Sequence, residues 1–370
     1  MANALKIAII GAGRMGGAHI INLIKGRVKG ACLSAVCDID ESVLGKYKNK
    51  FPVFNTYEEL IKDGNFDAAL IATPHYFHVP IASALINAGK AVYIEKPVAV
   101  TTKAAKELNA LIAEKDAVCA VGYNQRTNPT YIFAKDIIES GRLGALKRAN
   151  FIVTDWYRSD AYYKQNPWRG SYTGEGGGVL INQCVHQLDI LSWLIGMPQS
   201  VYAHIATKGR MITAENAVTA LLDYGNGVFC TISASGHELH GTNLIEIAGE
   251  KGKLTLTRSK AKFVEFEKAE PEINAETTDG YGSCAKKTHT KYYGVAQIRD
   301  SLYGQQLLSF QNFVNRILYG EKLSAPAEEG INALTLINSI YLSAWKNKEI
   351  ILPFDDTEYE NYLNNKIKEE

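Results

Sequence analysis

The chain has 370 residues, 46% of them apolar, and a formal net charge of +1. That length accommodates two domains with sizeable cores. The near-neutral, well-mixed charge gives no long-range attraction to nucleic acid or to a membrane surface. No run is apolar and long enough to span a membrane, and the N-terminus enters a strand-like segment, LKIAIIG, with no signal-peptide layout; the expectation is a soluble, cytoplasmic protein.

The first third alternates strand and helix signals. KIAIIG reads as a strand, followed by a helix to about Leu23. LSAVCD (33–38) is a second strand, and 57–62 is helical. DAALIA (67–72) is a third strand, and a helix from His78 to Ala88 ends at Gly89. AVYIE (91–95) is a fourth strand. A helix capped by Thr101 or Thr102 runs to about Lys115, and VCAVGY (118–123) is a fifth strand. Short apolar strands alternating with helices predict a parallel sheet covered on both faces.

The rhythm changes after residues 123–129. A helix over 131–140 precedes longer strand-like runs: RANFIVTDW, SVYAHIATKG, NAVTALLDYGNGVFCTISAS, NLIEIAGEKGKLTLTR and AKFVEFE. YGNGV and GEKGK read as hairpin turns. The fold class is therefore α/β: an N-terminal Rossmann domain with a parallel sheet, then a C-terminal α+β domain with an open, mainly antiparallel sheet. The boundaries are 1–124, 125–355 and a charged tail at 356–370. Residues 270–295 read as a long polar loop, and 306–318 and 328–345 as helices.

Six cysteines are scattered, with no CxxC pair, and Cys32, Cys37, Cys119 and Cys230 lie in apolar contexts. Free, buried thiols are expected and a cysteine zinc site is not.

GAGRMG, Gly11 to Gly16 with Arg14 and Met15 inside it, follows a strand and opens a helix. Gly11 permits the tight turn, Gly13 lets backbone approach a pyrophosphate, and Gly16 lets helix and strand pack closely. Asp38 ends the second strand at the spacing that suits the ribose hydroxyls of NAD. Its charge opposes a 2′-phosphate, and no arginine follows it. NAD is the expected cofactor. Thr73 and Pro74, at the end of the third strand, should border it. His75 and His78 show an HxxH spacing, as do His237 and His240; both pairs read as side chains lining a crevice, with no metal.

At the end of the fourth strand, Glu95 and Lys96 precede Pro97. A lysine held there beside a cationic nicotinamide suits proton exchange with an alcohol. Further on, GEGGGVLINQCVHQLD breaks into glycine and then places Asn182, His186 and Asp189 at i, i+4 and i+7, one face of a helix. That pattern suggests a helix lining a cleft, admitted close to the cofactor by the glycines. DWYRSDAYYKQNPWRG (155–170) is dense in aromatic and charged side chains that suit a carbohydrate, with Asp155, Tyr157 and Arg158 as candidate substrate contacts.

GAGRMG, Asp38, ATPHYFH, EKP, VGYNQR and GGGVLINQCVHQLD resemble, in order and spacing, the Gfo/Idh/MocA family of sugar and cyclitol oxidoreductases over nearly the whole chain. The resemblance implies oligomers formed through the second sheet and a catalytic Lys96. It implies His186 as the proton acceptor or donor, and Asn124, Trp168 and Arg169 near the cofactor. It also exposes a departure: Asn182 stands where the family has an aspartate. Asn182 can hydrogen-bond a hydroxyl but cannot take its proton, which moves proton transfer onto Lys96 and His186.

The expected activity is NAD-dependent oxidation of a secondary hydroxyl on a sugar, a glycoside (at ring position 3, giving a 3-keto product) or a cyclitol. Two alternatives stay open: a tightly bound NAD driving elimination, epimerisation or exchange between sugars, and a non-catalytic protein that senses NAD and a sugar.

Overall fold

The computed structural model describes residues 4–278, 280–293 and 295–370. The first elements are β1 (Leu5–Ile10), α1 (Arg14–Ile24), β2 (Ala31–Cys37), α2 (Glu41–Leu44), β3 (Val53–Phe54), α3 (Tyr57–Asp63), β4 (Ala68–Ile71), α4 (His78–Asn87), β5 (Ala91–Ile94), α5 (Thr102–Lys115) and β6 (Cys119–Val121). Their six strands form one parallel sheet in the order β3-β2-β1-β4-β5-β6. β4 is buried at every residue, as a strand covered on both faces must be. Thr101 caps α5, its hydroxyl accepting the Ala104 amide at 3.2 Å. Strand order reverses between β1 and β4, which makes the carboxyl edge there a topological switch point. Gly11, Asp38, Thr73 and Glu95 directly follow β1, β2, β4 and β5 on that edge, Thr73 one residue later.

Next in the chain come α6 (Pro129–Glu139), β7 (Leu146–Val153), α7 (Asp160–Lys164), α8 (Tyr172–Glu175), α9 (Val179–Asn182), α10 (Val185–Ile195), β8 (Ser200–Ala206), β9 (Ala217–Asp223), β10 (Phe229–Ser235), β11 (Asn243–Gly249), β12 (Gly252–Leu256), β13 (Lys260–Phe266), α11 (Glu270–Glu276), β14 (Lys286–Tyr292), α12 (Val295–Tyr319), α13 (Gly330–Lys346), β15 (Ile350–Ile351) and α14 (Asp356–Glu369). The second sheet has nine strands, ordered β14-β13-β12-β11-β7-β10-β9-β8-β15. β7 and β10 run parallel and the other described pairs antiparallel. The β9–β10 turn has positive φ at Gly225, Asn226 and Gly227, the backbone that YGNGV supplies cheaply.

The chain divides into two compact units. The first is Met1–Asn124, Thr173–Gly176 and Tyr303–Thr335; the second is Gln125–Tyr172, Gly177–Leu302 and Leu336–Glu370. The expectation of one continuous block over 125–355 is thus corrected. Phe310, Phe313 and Val314 of α12 join the buried cluster of Ile7, Ile20 and Tyr93, and the Tyr93 hydroxyl meets Ser309 at 3.0 Å. Each buried phenylalanine contributes about 1.5–3 kcal/mol, which outweighs chain proximity to the second sheet.

Two further expectations are corrected. The segment 270–295 is not one loop: it holds α11 and the edge strand β14, while Asp279 and Gly294 lie outside the described residues. β14, KKTHTKY, has too little apolar alternation to announce itself, which suits a charged edge. The tail at 356–370 is helical. Asp355 caps it through the Thr357 amide at 2.8 Å, and Tyr359 and Leu363, one turn apart, are buried. Tyr359 stacks on Trp345 at 5.7 Å.

No helix among the described residues is long and apolar enough to cross a membrane. All six cysteines are free, and Cys37, Cys119, Cys184 and Cys230 are buried.

Candidate active site

The first unit carries the dinucleotide features. Gly11 sits at φ +85, and a side chain there would strike the Ala72 carbonyl at 2.7 Å. A Cβ on Gly16 would lie 1.8 Å from the Gly11 carbonyl, so the turn and α1 touch. Gly13 differs: a Cβ there would meet nothing within 4 Å. The N-terminus of α1 has no side-chain cap and no acidic residue in its first turn. Its amides and dipole therefore remain available to an anion, with room for it to approach.

Asp38 accepts the Ala12 amide at 2.7 Å and the Asp40 amide at 3.0 Å. It braces the glycine turn and retains lone pairs for further donors. The Thr73 hydroxyl oxygen is buried without a hydrogen-bond partner, a polar group that a bound ligand can satisfy. These observations fit a dinucleotide at this edge. Arg14 is exposed and Met15 half-buried, where Gln306 approaches its sulfur at 4.0 Å.

His75 and His78 hold backbone. The His75 Nδ1 lies 2.8 Å from the Glu175 carbonyl. His78 faces two carbonyls, Pro97 at 2.7 Å and Thr73 at 2.9 Å. A neutral imidazole can donate to only one of them. Burial pushes His78 below its ordinary pKa despite the pull of both carbonyls. The residue therefore ties the loop after β4 to the loop after β5, which carries Lys96.

Glu95 is buried and 2.8 Å from the His19 Nε2 on α1. Burial acts to raise its pKa, but the hydrogen bond and charge of His19, then the charges of Lys96 and His78, hold the carboxyl below its usual value. Gly122 leaves the space this carboxylate occupies, for a Cβ there would come within 3.0 Å of it. Lys96 itself is half-buried between the buried Glu95 and Pro97, joined to Pro97 by a cis peptide bond. Asn124 is buried just after β6.

The glycine run is packed against protein neighbours. A Cβ on Gly176 would strike Val100 at 2.4 Å in the first unit. In the second, one on Gly177 would strike the Tyr341 hydroxyl at 2.0 Å, and one on Gly178 the Glu215 carbonyl at 1.8 Å. Glu215 organises the start of α9. Its carboxylate accepts the Gly178 amide at 3.0 Å, the Leu180 amide at 2.9 Å and the Tyr341 hydroxyl at 2.8 Å. Its backbone carbonyl accepts the Val179 amide at 3.0 Å.

The single helix expected over Asn182, His186 and Asp189 is broken in two. The Val179 carbonyl accepts both Gln183 N at 3.0 Å and Cys184 N at 2.7 Å, an i→i+5 turn between α9 and α10. One inserted position rotates α10 relative to α9. His186 is the one residue of 181–190 that is not buried. Asn182 is nearly buried, its amide 3.4 Å from the Tyr162 hydroxyl. Asp189, a candidate substrate contact, is fully buried and holds Arg126 through two hydrogen bonds of 2.9 and 2.6 Å. That pair engages both of its carboxylate oxygens.

The segment 155–170 has its aromatic and charged groups interleaved. Asp155 pairs with Arg258 at 2.6 Å. Arg158 lies over the rings of Trp156 and Tyr162, and Arg169 over Tyr162 and Trp168. Tyr157 is exposed beneath Arg210.

Sequence reasoning missed Glu215, Tyr341, His19 and Arg126, whose partners are remote in the chain. It also missed Ile39, 91% exposed directly after Asp38. An apolar side chain directly after the strand-ending Asp38 was the available signal.

Known proteins share both halves of the chain. Residues 5–123 match the model of an oxidoreductase family with an NAD-binding Rossmann fold, and residues 131–255 match the GFO/IDH/MocA C-terminal domain. The chain is 34% identical over 209 residues to 1-carboxy-3-chloro-3,4-dihydroxycyclohexa-1,5-diene dehydrogenase of Comamonas testosteroni. That match covers 55% of this chain and 52% of the relative, about half its length. It is 25% identical over 345 residues to myo-inositol 2-dehydrogenase of Thermotoga maritima, covering 90% of this chain and 94% of the relative. The WlbA dehydrogenase of Bordetella pertussis, solved with NADH and UDP-GlcNAcA, superposes with a TM-score of 0.77 at 26% identity, covering 95% of this chain and all of that one.

Proposed function

This chain belongs to the GFO/IDH/MocA oxidoreductases, and from that premise we propose that it is an NAD-dependent dehydrogenase of a secondary hydroxyl on a polyhydroxylated ring. The observation that carries the reading is in the first unit: Lys96 stands on the same carboxyl edge as the open Gly13 turn and Asp38. The relatives support the ring, one being named for myo-inositol and another solved with a nucleotide sugar.

Residues 11–16 and the α1 amides hold the cofactor's phosphates, Asp38 its ribose hydroxyls, and Ile39 offers an apolar shelf for its base. Thr73 supplies a hydroxyl and Asn124 an amide, and Trp168 and Arg169 serve the same ligand. Bound NAD supplies the hydride acceptor. Lys96 and His186 together remove the proton of the reacting hydroxyl. Asn182 orients a neighbouring hydroxyl without exchanging a proton. Within the class, we assign a glycoside oxidised at position 3, on the aromatic density of 155–170. The outer face of the second sheet, where Tyr202 and Leu221 pair across strands with both side chains exposed, is the surface for a second copy.

The test is NADH appearance over a panel of hexoses, inositols and glucosides, run beside Lys96→Ala. Loss of a general acid or base lowers the rate by about 10²–10⁴, with NADH binding retained. Full activity in Lys96→Ala would sink the mechanism. A preparation that carries NAD(H) and turns sugars over without added cofactor would replace net oxidation by transient oxidation.

A further inference from the structure

The second unit contains a row of alternating aromatic and guanidinium groups, of which only Arg169 has been given to the cofactor. Trp156 lies between Arg258 and Arg158, their Cζ atoms 4.8 and 5.5 Å from its ring centre. Tyr162 lies between Arg158 and Arg169, at 4.8 and 4.9 Å. Asp155 neutralises the Arg258 end. The middle is not neutralised. Among the described residues no carboxylate is within ion-pair distance of Arg158, and its buried Nε has no hydrogen-bond partner. Its Nη1 donates to the adjacent Tyr157 carbonyl at 2.9 Å. Arg210 donates to the Arg158 carbonyl and adds a second guanidinium that, among the described residues, forms no ion pair.

Stacking engages the faces of a guanidinium and leaves its in-plane N–H edge for a ligand. The Arg158 guanidinium lies within cation–π range of two rings, Trp156 and Tyr162, which restrict it. The group that satisfies such an edge is an anion with paired oxygens, a carboxylate or a phosphate. The row also reaches the site helix, for the Tyr162 hydroxyl meets Asn182 at 3.4 Å. A single phenol ring, that of Tyr162, thus links Arg158 to Asn182.

We propose that the ring oxidised by this protein carries an anionic substituent, carboxylate or phosphate, and that Arg158 receives it. The inference rests on the dehydrogenase reading and narrows its substrate class. It adds a carboxylate or phosphate substituent to the glycoside assigned above.

Trp156 flanks Arg158, so occupancy of the site reads out as tryptophan quenching in the NAD-saturated protein. The probes are glucuronate, glucose 6-phosphate and inositol phosphate, each against its neutral parent. A charged probe should bind about ten to a hundred times more tightly than its parent, the ratio a charge-assisted hydrogen bond implies. Arg158→Gln should remove most of that ratio, and Arg158→Lys, which keeps charge without the flat fork, should restore part of it. The ratio of kcat/KM between charged and neutral alcohols should change in parallel. Preference among the probes separates carboxylate from phosphate.

The proposal is overturned if no charged probe binds more tightly than its parent, or if Arg158→Gln weakens both by one factor. It is overturned too if that variant weakens NADH binding alone, which would give Arg158 to the cofactor. If Arg158-dependent binding appears but no alcohol is oxidised, the anion site stands and the dehydrogenase reading fails.

Discussion

Glu215 offers a prediction whose sign is set by its surroundings. The side chain is 1% exposed and accepts from the Gly178 and Leu180 amides and from the Tyr341 hydroxyl. Burial pushes its carboxyl up to about 7, against the pull of the Leu180 amide, the Tyr341 hydroxyl and the remaining backbone donors. In the unfolded chain it titrates near 4.5. Between those values the folded protein holds a proton that the unfolded chain has released. Stability from this group is therefore full below about pH 4.5, falls as pH rises, and levels off above 7. Two and a half pH units at 1.36 kcal/mol each give a loss of about 3 kcal/mol. Glu215→Gln cannot titrate, and its NH₂ confronts one of the three donors, costing about 1–3 kcal/mol. Urea unfolding of both proteins from pH 5 to 8 should show the advantage of wild type shrinking by about 3 kcal/mol. A constant difference would refute the reasoning. It would mean that three donors keep Glu215 charged throughout, and that hydrogen bonding outweighs burial here.

Two substitutions check other parts of the site. Asp189→Ala leaves the buried Arg126 guanidinium without its acid and should cost about 3–5 kcal/mol in urea unfolding. A loss below about 0.5 kcal/mol would show that the pair is not holding the start of the second unit to α10. Gly13→Val should leave the melting temperature within a few degrees, since its Cβ meets nothing within 4 Å and its φ is −63. NADH titration should nevertheless weaken by at least about tenfold, because the side chain fills the approach that a phosphate needs. Unchanged NADH affinity would remove Gly13 from the cofactor site.

The first unit was legible because its rules are local. Gly16 must be glycine on account of Gly11, five residues away, and Asp38, directly after its strand, accepts the Ala12 amide of the glycine turn. Periodicity gave five of its six strands; β3, two residues long, carries no period. The second sheet was legible from alternation and from the positive-φ turn at 225–227. Features that depended on a remote partner were not. α12 belongs to the first core because Phe310 and Phe313 find Tyr93, more than two hundred residues earlier. No window of sequence contains that contact.

The site helix fails for a different reason. The spacing of Asn182, His186 and Asp189 was read with a uniform 3.6-residue turn, and the chain inserts an i→i+5 turn between the first two. The i→i+5 bond itself runs through backbone, from the Cys184 amide to the Val179 carbonyl, so no side-chain type signals it. Its cause lies upstream. Glu215 binds three successive amides, 178 to 180, and so fixes where α9 starts, while Asp189 and Arg126 fix where α10 lies. Two anchors set independently, 37 and 63 residues from their partners, leave the segment between them one residue too long for a regular helix. The surplus is taken up in the turn just before His186, leaving that residue half-buried while its neighbours are fully covered. The reach of the proposed base is thus set by the distance between two buried carboxylates, which is why its residue type could be read from sequence and its orientation could not.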